Sequence, residues 1–397
     1  MRVLVFSTIS PSPVDRGDRN RLTHSIRLLS ELAAVRVVYL ARGWEPNELQ
    51  PARDGVSYRG IPVSKRAVVV RGAMAALVGR SHQAYRYDLP VVMAGLEQEM
   101  RAFRPDVLWL FQASTVPALR LSQVPWVVVD LVDSPTRYLE AEKNHPSESL
   151  KSALRSFTQW GTASVEHALV ERAGSVLVNS DLDREHVRRR YSCENVHILP
   201  NCVPAGLLDN KWRPIPNDDA PTILFVGNLA YPPNAIAVRE LARRILPCVR
   251  ARLPGSQLRV CGARGESLEK ELGKLPGVSF LGFVPDLASE YLRASVFVSP
   301  VPFAGGTQYK LLEAMAVGTP CVTSAASAEV TGVTNGTEVI VAEDAESYAA
   351  AIDALYRDGD RGVLLSEAAR DFIRARHVWD QYLPLVRHAL AKPEEPA

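Results

Sequence analysis

The stretch that decides the fold runs from residue 305 to residue 320 and reads GGTQYKLLEAMAVGTP. Two adjacent glycines open a loop, and the apolar spacing that follows predicts a helix beginning at Lys310 and reaching Ala316. β-branched and apolar runs at residues 296–300 and 320–323 predict a strand on each side. Strand, loop, helix and strand in this order form the unit that joins neighbouring strands of a parallel sheet.

The same alternation continues in both directions from this stretch. Predicted strands occupy residues 3–6, 35–40, 107–111, 126–132, 175–180, 223–227, 258–261 and 278–281, and predicted helices include 19–32, 90–103 and 234–253. A run rich in Pro, Asn and Asp interrupts the rhythm between residues 204 and 221, as a linker would. We therefore expect an α/β protein with one domain over residues 1–203 and another over residues 222–378.

Composition excludes several other classes of protein. Of the 397 residues, 47% are apolar and 23% are charged, a composition that predicts a soluble globular protein. The net charge of only +2 gives no electrostatic reason to expect binding of nucleic acid. The five cysteines are scattered without CxxC or Cys/His spacing, which predicts reduced thiols in the cytoplasm and neither disulfides nor a metal site. No apolar run reaches the length of a membrane span, and the short N-terminal one predicts a first strand.

The glycine loop and the start of the next helix predict an anion site. Backbone N–H groups at such a loop can approach a phosphate, and the helix N-terminus adds partial positive charge. Lys310 lies in the first helical turn, where the helix dipole makes a positive charge unfavourable. A nearby phosphate would offset this unfavourable interaction. Glu313 lies one turn further, within hydrogen-bonding reach of an attached ribose. The residues alone leave open a plain loop and helix with a surface Lys and Glu.

This stretch resembles the donor-site signature of retaining GT-B glycosyltransferases of family four. Its form, Gly-Gly-Thr-x-x-Lys-x-x-Glu-Ala-Met-Ala, is similar to that of a bacterial sugar transferase subgroup often linked to exopolysaccharide loci. The resemblance implies two Rossmann-like domains whose parallel sheets face a central cleft. It also implies metal-independent transfer of a sugar from a nucleoside diphosphate sugar to an acceptor hydroxyl, with retention of configuration. The family has two glutamates here: Glu313 is the second, whereas Gly305 stands in place of the first, and Gln308 replaces an Arg.

Further stretches extend the resemblance over nearly the whole chain. Residues 224–234 are similar to the first strand and turn of the donor domain, although the family's Arg and Lys are here Asn228 and Pro233. Residues 278–287 are similar to the loop that reads the base. The resemblance implies donor contacts at Gly17, Gly227, Asn228, Gly262, Phe283, Val284, Gly305, Gly306, Thr307, Gln308, Tyr309, Lys310, Leu311 and Glu313. For Gly227 and Gly262 a tight turn remains the alternative, and Asn234 could cap its helix.

The N-terminal half supplies candidates for the acceptor side. The loop at residues 13–19 follows the first strand, and its Arg16 and Arg19, together with Arg21, could bind an acidic acceptor or form a solvated face. Asp130 and Asp133 end a buried strand, where ligands of open α/β sheets bind. We predict catalytic roles for Asp133, Asp18 and Lys310, and acceptor contacts for Arg16, Arg19 and Asp130. Helix capping is the alternative for Asp18 and for the carboxylate after the strand.

The implied partners are a nucleotide sugar and a small-molecule or lipid-linked acceptor from polysaccharide or natural-product biosynthesis. The family's last helix, which a Trp-containing stretch begins, crosses back to the N-terminal domain, and here it corresponds to residues 379–397. We expect a cytoplasmic protein, and Lys65, Arg66 and Arg71 permit contact with an anionic membrane surface without requiring it. A nucleotide-sugar epimerase of the same fold and a catalytically silent nucleotide-binding scaffold remain alternatives.

Overall fold

The structure is a computed structural model that describes residues 1–13, 17–43, 45, 49, 55–121, 124, 126–143, 152–214 and 220–392. The chain divides into two compact units. The first contains Met1–Leu199 and Asp380–Ala397, and the second contains Pro200–Trp379. Each unit is an α/β domain built on its own parallel sheet.

The described part of the first unit contains a parallel sheet of seven strands in the order β3-β2-β1-β4-β5-β6-β7. The strands are β1 (Arg2–Ser7), β2 (Ala34–Arg42), β3 (Val56–Val63), β4 (Val107–Phe111), β5 (Trp126–Val132), β6 (Ser175–Val178) and β7 (Val196–Ile198). The helices between them are α1 (Gly17–Ser30), α2 (Lys65–Leu77), α3 (His82–Tyr85), α4 (Pro90–Phe103), α5 (Pro135–Lys143), α6 (Ser152–Arg172) and α7 (Asp181–Tyr191), and Ala113–Leu121 is a 3-10 helix. All residues of β4 are buried, because helices cover both faces of a parallel sheet.

The described part of the second unit repeats the plan with six strands in the order β10-β9-β8-β11-β12-β13. These are β8 (Thr222–Val226), β9 (Gln257–Cys261), β10 (Val278–Gly282), β11 (Val296–Ser299), β12 (Cys321–Thr323) and β13 (Ile340–Val341). Its helices are α8 (Pro232–Glu240), α9 (Leu246–Arg252), α10 (Glu266–Leu272), α11 (Leu287–Arg293), α12 (Tyr309–Val317), α13 (Ala325–Thr331), α14 (Ala345–Arg357) and α15 (Gly359–Arg376). Short 3-10 helices lie at Ala205–Asp209 and Trp379–Tyr382.

The last helix, α16 (Leu383–Leu390), belongs to the first unit. The indole Nε1 of Trp126 at the start of β5 donates a hydrogen bond to the carbonyl of Ala389, 2.8 Å away. The C-terminal segment is therefore held by the first sheet. None of the described helices has the length and apolar character needed to cross a membrane.

Two segments show details that the sequence pattern does not reveal. The helix predicted over residues 234–253 continues through Pro247 because Leu241–Ile245 forms a π-helical turn, and this wider turn accommodates a residue that lacks an N–H and would clash with the preceding turn. The described part of the Pro-rich run after residue 203 packs within the second unit. There Trp212 donates from Nε1 to the carbonyl of Ala294 at 2.7 Å, and its backbone N–H donates to the carbonyl of Val317.

Candidate functional site

The candidate site of the second unit lies where the strand order reverses. β8 pairs with β9 on one side and with β11 on the other, so the loops that leave β8 and β11 diverge at their carboxyl ends. Ligands of open parallel sheets bind in the crevice that such a divergence creates. The loop after β8 begins with Gly227, and the loop after β11 leads through Gly305 and Gly306 into α12.

Gly227 and Gly262 let two strand ends approach closer than any other residue type would permit. A Cβ atom added to Gly262 would lie 1.8 Å from the carbonyl oxygen of Gly227, and one added to Gly227 would lie 2.7 Å from Nδ2 of Asn234. The N–H of Gly262 in turn donates to the carbonyl of Gly282 at the end of β10. Gly227, Gly262 and the loop that carries Phe283 therefore come together at the carboxyl ends of neighbouring strands β8, β9 and β10.

Lys310 lies in the first turn of α12 with its amine directed at the loop after β8. Its Nζ donates to Oδ1 of Asn234 at 2.5 Å and lies 5.2 Å from the ring centroid of Phe225. Asn234 is buried, and its Nδ2 donates to the carbonyl of Asn228. Burial lowers the pKa of Lys310 to about 7, and the carboxylate of Glu313 opposes that shift. The protein itself therefore stabilises the positive charge of the Lys310 amine only weakly. A bound anion would supply the missing stabilisation, so this amine is a candidate anion-binding group.

Glu313 lies one turn further along α12 beside Tyr291 of α11. The hydroxyl of Tyr291 lies 3.1 Å from Oε2 of Glu313 and 3.1 Å from the carbonyl oxygen of Lys310. Burial raises the pKa of Glu313 to about 7, against the opposing effects of the Tyr291 hydrogen bond and Lys310. Burial also raises the pKa of Tyr291 well above its ordinary value, so this hydroxyl stays protonated and orients the carboxylate.

The loop before α12 is braced by polar side chains of the second unit. Gln308 precedes the helix; its Nε2 donates to Oγ of Ser327 at 2.8 Å, and its Oε1 accepts from Oγ of Ser299. The side-chain amide of Asn201 donates to the carbonyl of Thr307 at 2.8 Å. Gln308 therefore supports the loop through its side chain, and the loop's conformation depends on residues outside the glycine motif.

His377 completes this brace behind Asn201. Its Nδ1 lies 2.7 Å from the carbonyl oxygen of Asn201, and the His377 carbonyl accepts from the N–H of Val203. The imidazole is 4% exposed, and burial lowers its pKa to about 4. The ring is therefore neutral at physiological pH, and its Nδ1–H donates to the Asn201 carbonyl.

The other predicted donor contacts of the second unit occupy different surroundings. Phe283 is exposed just after β10, whereas the Val284 side chain packs on the core beneath it. The side chain of Leu311 is fully buried in that core, which leaves only its backbone to face a ligand. Gly305 is buried and Gly306 half-buried, and Tyr309 is the first residue of α12.

In the first unit, Asp133 follows β5 and is only partly buried. The side chain of Asn179, which follows β6, donates to its carboxylate. Burial raises the pKa of Asp133 to about 7, Asp183 adds to the rise by repulsion, and Arg21 and Arg137 oppose it. A carboxyl group that titrates near neutral pH suits proton transfer.

The backbone beside Asp133 is strained. Val132 has φ of 69° and Gln112, after the neighbouring strand β4, has φ of 70°. A β-branched residue in this left-handed region is a real outlier, and such strain of about 1–3 kcal/mol persists where the surrounding structure requires it, commonly at functional sites. The pairing of β5 with β6 also shifts register between Asp130 and Val132. These distortions set the position from which Asp133 leaves the sheet.

The remaining predicted residues of the first unit are mainly engaged in internal contacts. Asp130 is fully buried, and Oδ1 accepts from Nη2 of Arg21 at 2.7 Å, so this pair holds α1 on the sheet. Arg19 is buried with Nη2 2.5 Å from Oε1 of Glu45, which balances its charge. Oδ1 of Asp18 accepts from the N–H of Arg19 in the first turn of α1, which Gly17 begins. Arg16 lies outside the described residues.

Sequence reasoning missed the roles of four residues in this arrangement. Asn234 was considered only as a helix cap, yet it is the hydrogen-bond partner of Lys310. Tyr291, Asn201 and His377 carry no local motif, because each reaches the site from a distant part of the chain. The sequence signal for Asn234 is its place in the first turn of a helix that follows a strand and a glycine. Among the described residues, no three His, Cys, Asp or Glu side chains are grouped so that they could hold a metal ion.

Comparisons with known proteins show what the chain is similar to. Residues 220–358 match the family model described as "Glycosyl transferases group 1". An uncharacterized 44.6 kDa protein in the cps region of Klebsiella pneumoniae is 25% identical over 135 residues, which cover 32% of this chain and 35% of that protein. The chain thus spans about a third of the length of this curated relative.

Solved structures resemble the chain over nearly its full length. Sucrose-phosphate synthase from Thermosynechococcus elongatus has a TM-score of 0.74 at 17% identity, with 98% of this chain and 97% of that chain covered. HepE of Anabaena in complex with UDP-glucose has a TM-score of 0.68 at 14% identity, covering 98% and 99%. WaaG, a glycosyltransferase involved in lipopolysaccharide biosynthesis, has a TM-score of 0.64 at 14% identity, covering 97% and 99%. The predicted GT-B fold of two Rossmann-like domains is confirmed.

Proposed function

We propose that this chain is a retaining glycosyltransferase that transfers a sugar from a nucleoside diphosphate sugar to an acceptor hydroxyl. The observation that carries the proposal is the set formed by Lys310, Asn234 and Glu313 beside the close contact of Gly227 with Gly262. It lies within the segment that matches the glycosyltransferase group 1 model. Such a set offers a cation for a diphosphate, a carboxylate for a ribose and a glycine surface for a base.

The nucleotide is most simply a uridine diphosphate, since HepE binds UDP-glucose with a similar fold. In our proposal the ammonium of Lys310 and the backbone amides at the start of α12 stabilise the charge that develops on the leaving diphosphate. Gly305 has no side chain that could hydrogen-bond to the sugar hydroxyls, whereas the family that this stretch resembles has a glutamate at the same position. We therefore infer that the donor is held chiefly by its nucleotide end.

On the acceptor side we propose that Asp133 orients the acceptor hydroxyl. As the bond from the anomeric carbon to the diphosphate oxygen breaks, the acceptor oxygen attacks from the same face, and its proton passes to a leaving phosphate oxygen or to Asp133. The pKa of about 7 allows Asp133 to accept that proton near neutral pH. Arg19 and Asp130 would support this region through their internal ion pairs, and Asp18 through the first turn of α1.

The test begins with thermal unfolding in the presence of UDP-, GDP- and dTDP-sugars. We expect one nucleotide class to raise the melting temperature, and product masses with candidate acceptors, including a lipid-linked one, to show addition of one sugar, with EDTA having no effect. If no nucleotide sugar shifts the unfolding transition, the proposal fails. An epimerase would instead convert the donor to an isomer without an acceptor, and a silent scaffold would bind the donor with neither product.

A further inference from the structure

The outward face of α2 exposes a continuous row of apolar side chains. Leu77 is 86% exposed and Val69 62% exposed, and Val70, Met74 and Val78 are each at least half exposed. The spacing of residues 69, 70, 74 and 77 places these side chains along one side of a helix. We call this surface, formed by Val69, Val70, Met74, Leu77 and Val78, the α2 apolar face. Half of the large exposed apolar side chains in the described residues belong to this one face, so it is a patch and not ordinary surface scatter.

The opposite face of α2 explains this orientation. Its buried residues are Gly72 and Ala75, and a Cβ atom on Gly72 would lie 3.1 Å from Cβ of Arg86. The helix therefore packs on the domain mainly through small residues and Val68, and it directs most of its large apolar residues outward, unlike an ordinary amphipathic helix. Ser64 caps its first turn by accepting from the N–H of Ala67. The exposure is thus a property of a well-formed helix.

Basic residues border the α2 apolar face. Lys65 and Arg66 are exposed at its N-terminal end and Arg80 at its C-terminal end. The sequence from residue 56 to residue 87 contains no Asp or Glu. The first acidic residue after it, Asp88, is buried and paired with Nη2 of Arg71 at 2.7 Å. Within residues 56–87 the charged residues beside this apolar face are all cations, which matches a surface that is apolar inside and anionic outside.

We propose that the α2 apolar face inserts into an anionic lipid surface, with Lys65 and Arg66 contacting the phospholipid headgroups. A second copy of this chain fits the charges less well. In a two-fold interface the same patch meets itself, so the bordering cations would face one another with no acidic residue on the face to compensate. Attachment through α2 does not depend on the proposed transfer reaction, and it would bring the chain to acceptors that lie in a membrane.

The test is co-sedimentation of the full chain with vesicles, without any nucleotide sugar. Vesicles of phosphatidylcholine alone are compared with vesicles of equal parts phosphatidylcholine and phosphatidylglycerol. We expect binding to the anionic vesicles that weakens as salt is raised. The triple variant Val70→Ser, Met74→Gln and Leu77→Gln should bind at least about tenfold more weakly, since it removes apolar side chains that would enter the lipid. The control Leu364→Gln changes a leucine of the second unit that is 68% exposed, and this variant should bind as the wild type does.

A second pair of variants tests the charges. Lys65→Gln with Arg66→Gln should weaken binding about fivefold for each cation removed, while Lys270→Gln with Lys274→Gln, at exposed positions of the second unit, should not. Far-UV circular dichroism confirms folding of every variant. The proposal is overturned if the wild type stays in solution with both vesicles or if the triple variant binds normally. A dimer that the triple variant dissociates, without vesicle binding, would assign the face to self-association instead. Neither result affects the donor-binding test.

Discussion

Replacing Lys310 with methionine should make the free protein more stable and weaken its binding of a nucleoside diphosphate. Burial lowers the pKa of Lys310 from 10.5 to about 7, a difference of about 3.5 units. At pH 7 the folded state thus disfavours protonation of an amine that is fully protonated in the unfolded chain, which costs about 4 kcal/mol. Methionine removes that cost but leaves Oδ1 of Asn234 without its donor, at about 1–3 kcal/mol. The net gain is about 2 kcal/mol.

The sign of the pH dependence follows from the same shift. Between pH 7 and pH 10.5 the unfolded chain binds more protons at Lys310 than the folded chain does, so the stability of the wild type rises with pH across this window. The variant should lack that rise. A diphosphate binds the protonated amine, so UDP affinity of the wild type should fall as pH rises through 7, while the affinity of the variant stays flat. Loss of one hydrogen bond to a charged group predicts about 10- to 100-fold weaker UDP binding at pH 7.

Thermal unfolding and titration calorimetry with UDP measure both effects. We expect the melting temperature of Lys310→Met to rise by about 4–8 °C. Lys270→Met, at an exposed lysine of α10, is the control and should leave both quantities nearly unchanged. A variant that is less stable than the wild type and binds UDP normally would refute the reasoning, because Lys310 would then be a structural cation.

Three further outcomes follow from other parts of the two units. Asp133→Asn should lower turnover by about 10²–10⁴-fold and remove any activity limb near pH 7 without lowering the melting temperature, whereas Asp181→Asn, at an exposed carboxylate, should change neither. Gly262→Ala should destabilise the second unit by at least about 3 kcal/mol and abolish UDP binding, because the added Cβ would overlap the Gly227 carbonyl. Gly206→Ala is the control for the unfolding measurement, since a Cβ added there would have its nearest neighbour 3.9 Å away. His377 alone should contribute about 3 kcal/mol to wild-type stability between pH 4 and pH 6.5, because the unfolded residue binds more protons there than the folded one with its pKa of about 4. Urea unfolding of the wild type and of His377→Gln across this range measures that contribution as the difference between the two pH profiles.

The architecture could be predicted from the sequence because buried parallel strands leave a plain signal. Residues 107–111 and 126–132 are strands as predicted, since continuous apolar runs bounded by turns have few other uses in a globular domain. The helix over residues 90–103 follows from its periodicity and from Pro90 at its first turn. By contrast, α2 left no signal, because it buries Gly72 and Ala75 and exposes most of its large apolar residues, which is not the pattern that sequence reasoning uses.

The candidate site could be predicted only where it is local in sequence. The loop and the first turn of α12 carry their own motif, so Lys310 and Glu313 could be proposed from their residue types and spacing together with the resemblance to a known signature. Their environment was not, because the pKa values of both residues are set by burial and by neighbours on other elements. Asn234 and Tyr291 lie many residues away along the chain, and only the fold brings them to α12. The tertiary structure thus supplied the electrostatics that the motif could not.

The composition of α12 argues that its two charged residues serve a ligand. The other side chains from Leu311 to Val317 are fully buried, so apolar residues at positions 310 and 313 would pack without any desolvation cost. A cation in the first turn of α12 also interacts unfavourably with the helix dipole. At the C-terminal end of the helix a cation is favourable, and there Arg370 donates to the carbonyls of Ala316 and Val317. Stability alone therefore accounts for the C-terminal end of α12 and not for its beginning. An anion bound at Lys310 would offset both the burial of its charge and the unfavourable dipole, so this end of the helix is the one to probe with nucleotides.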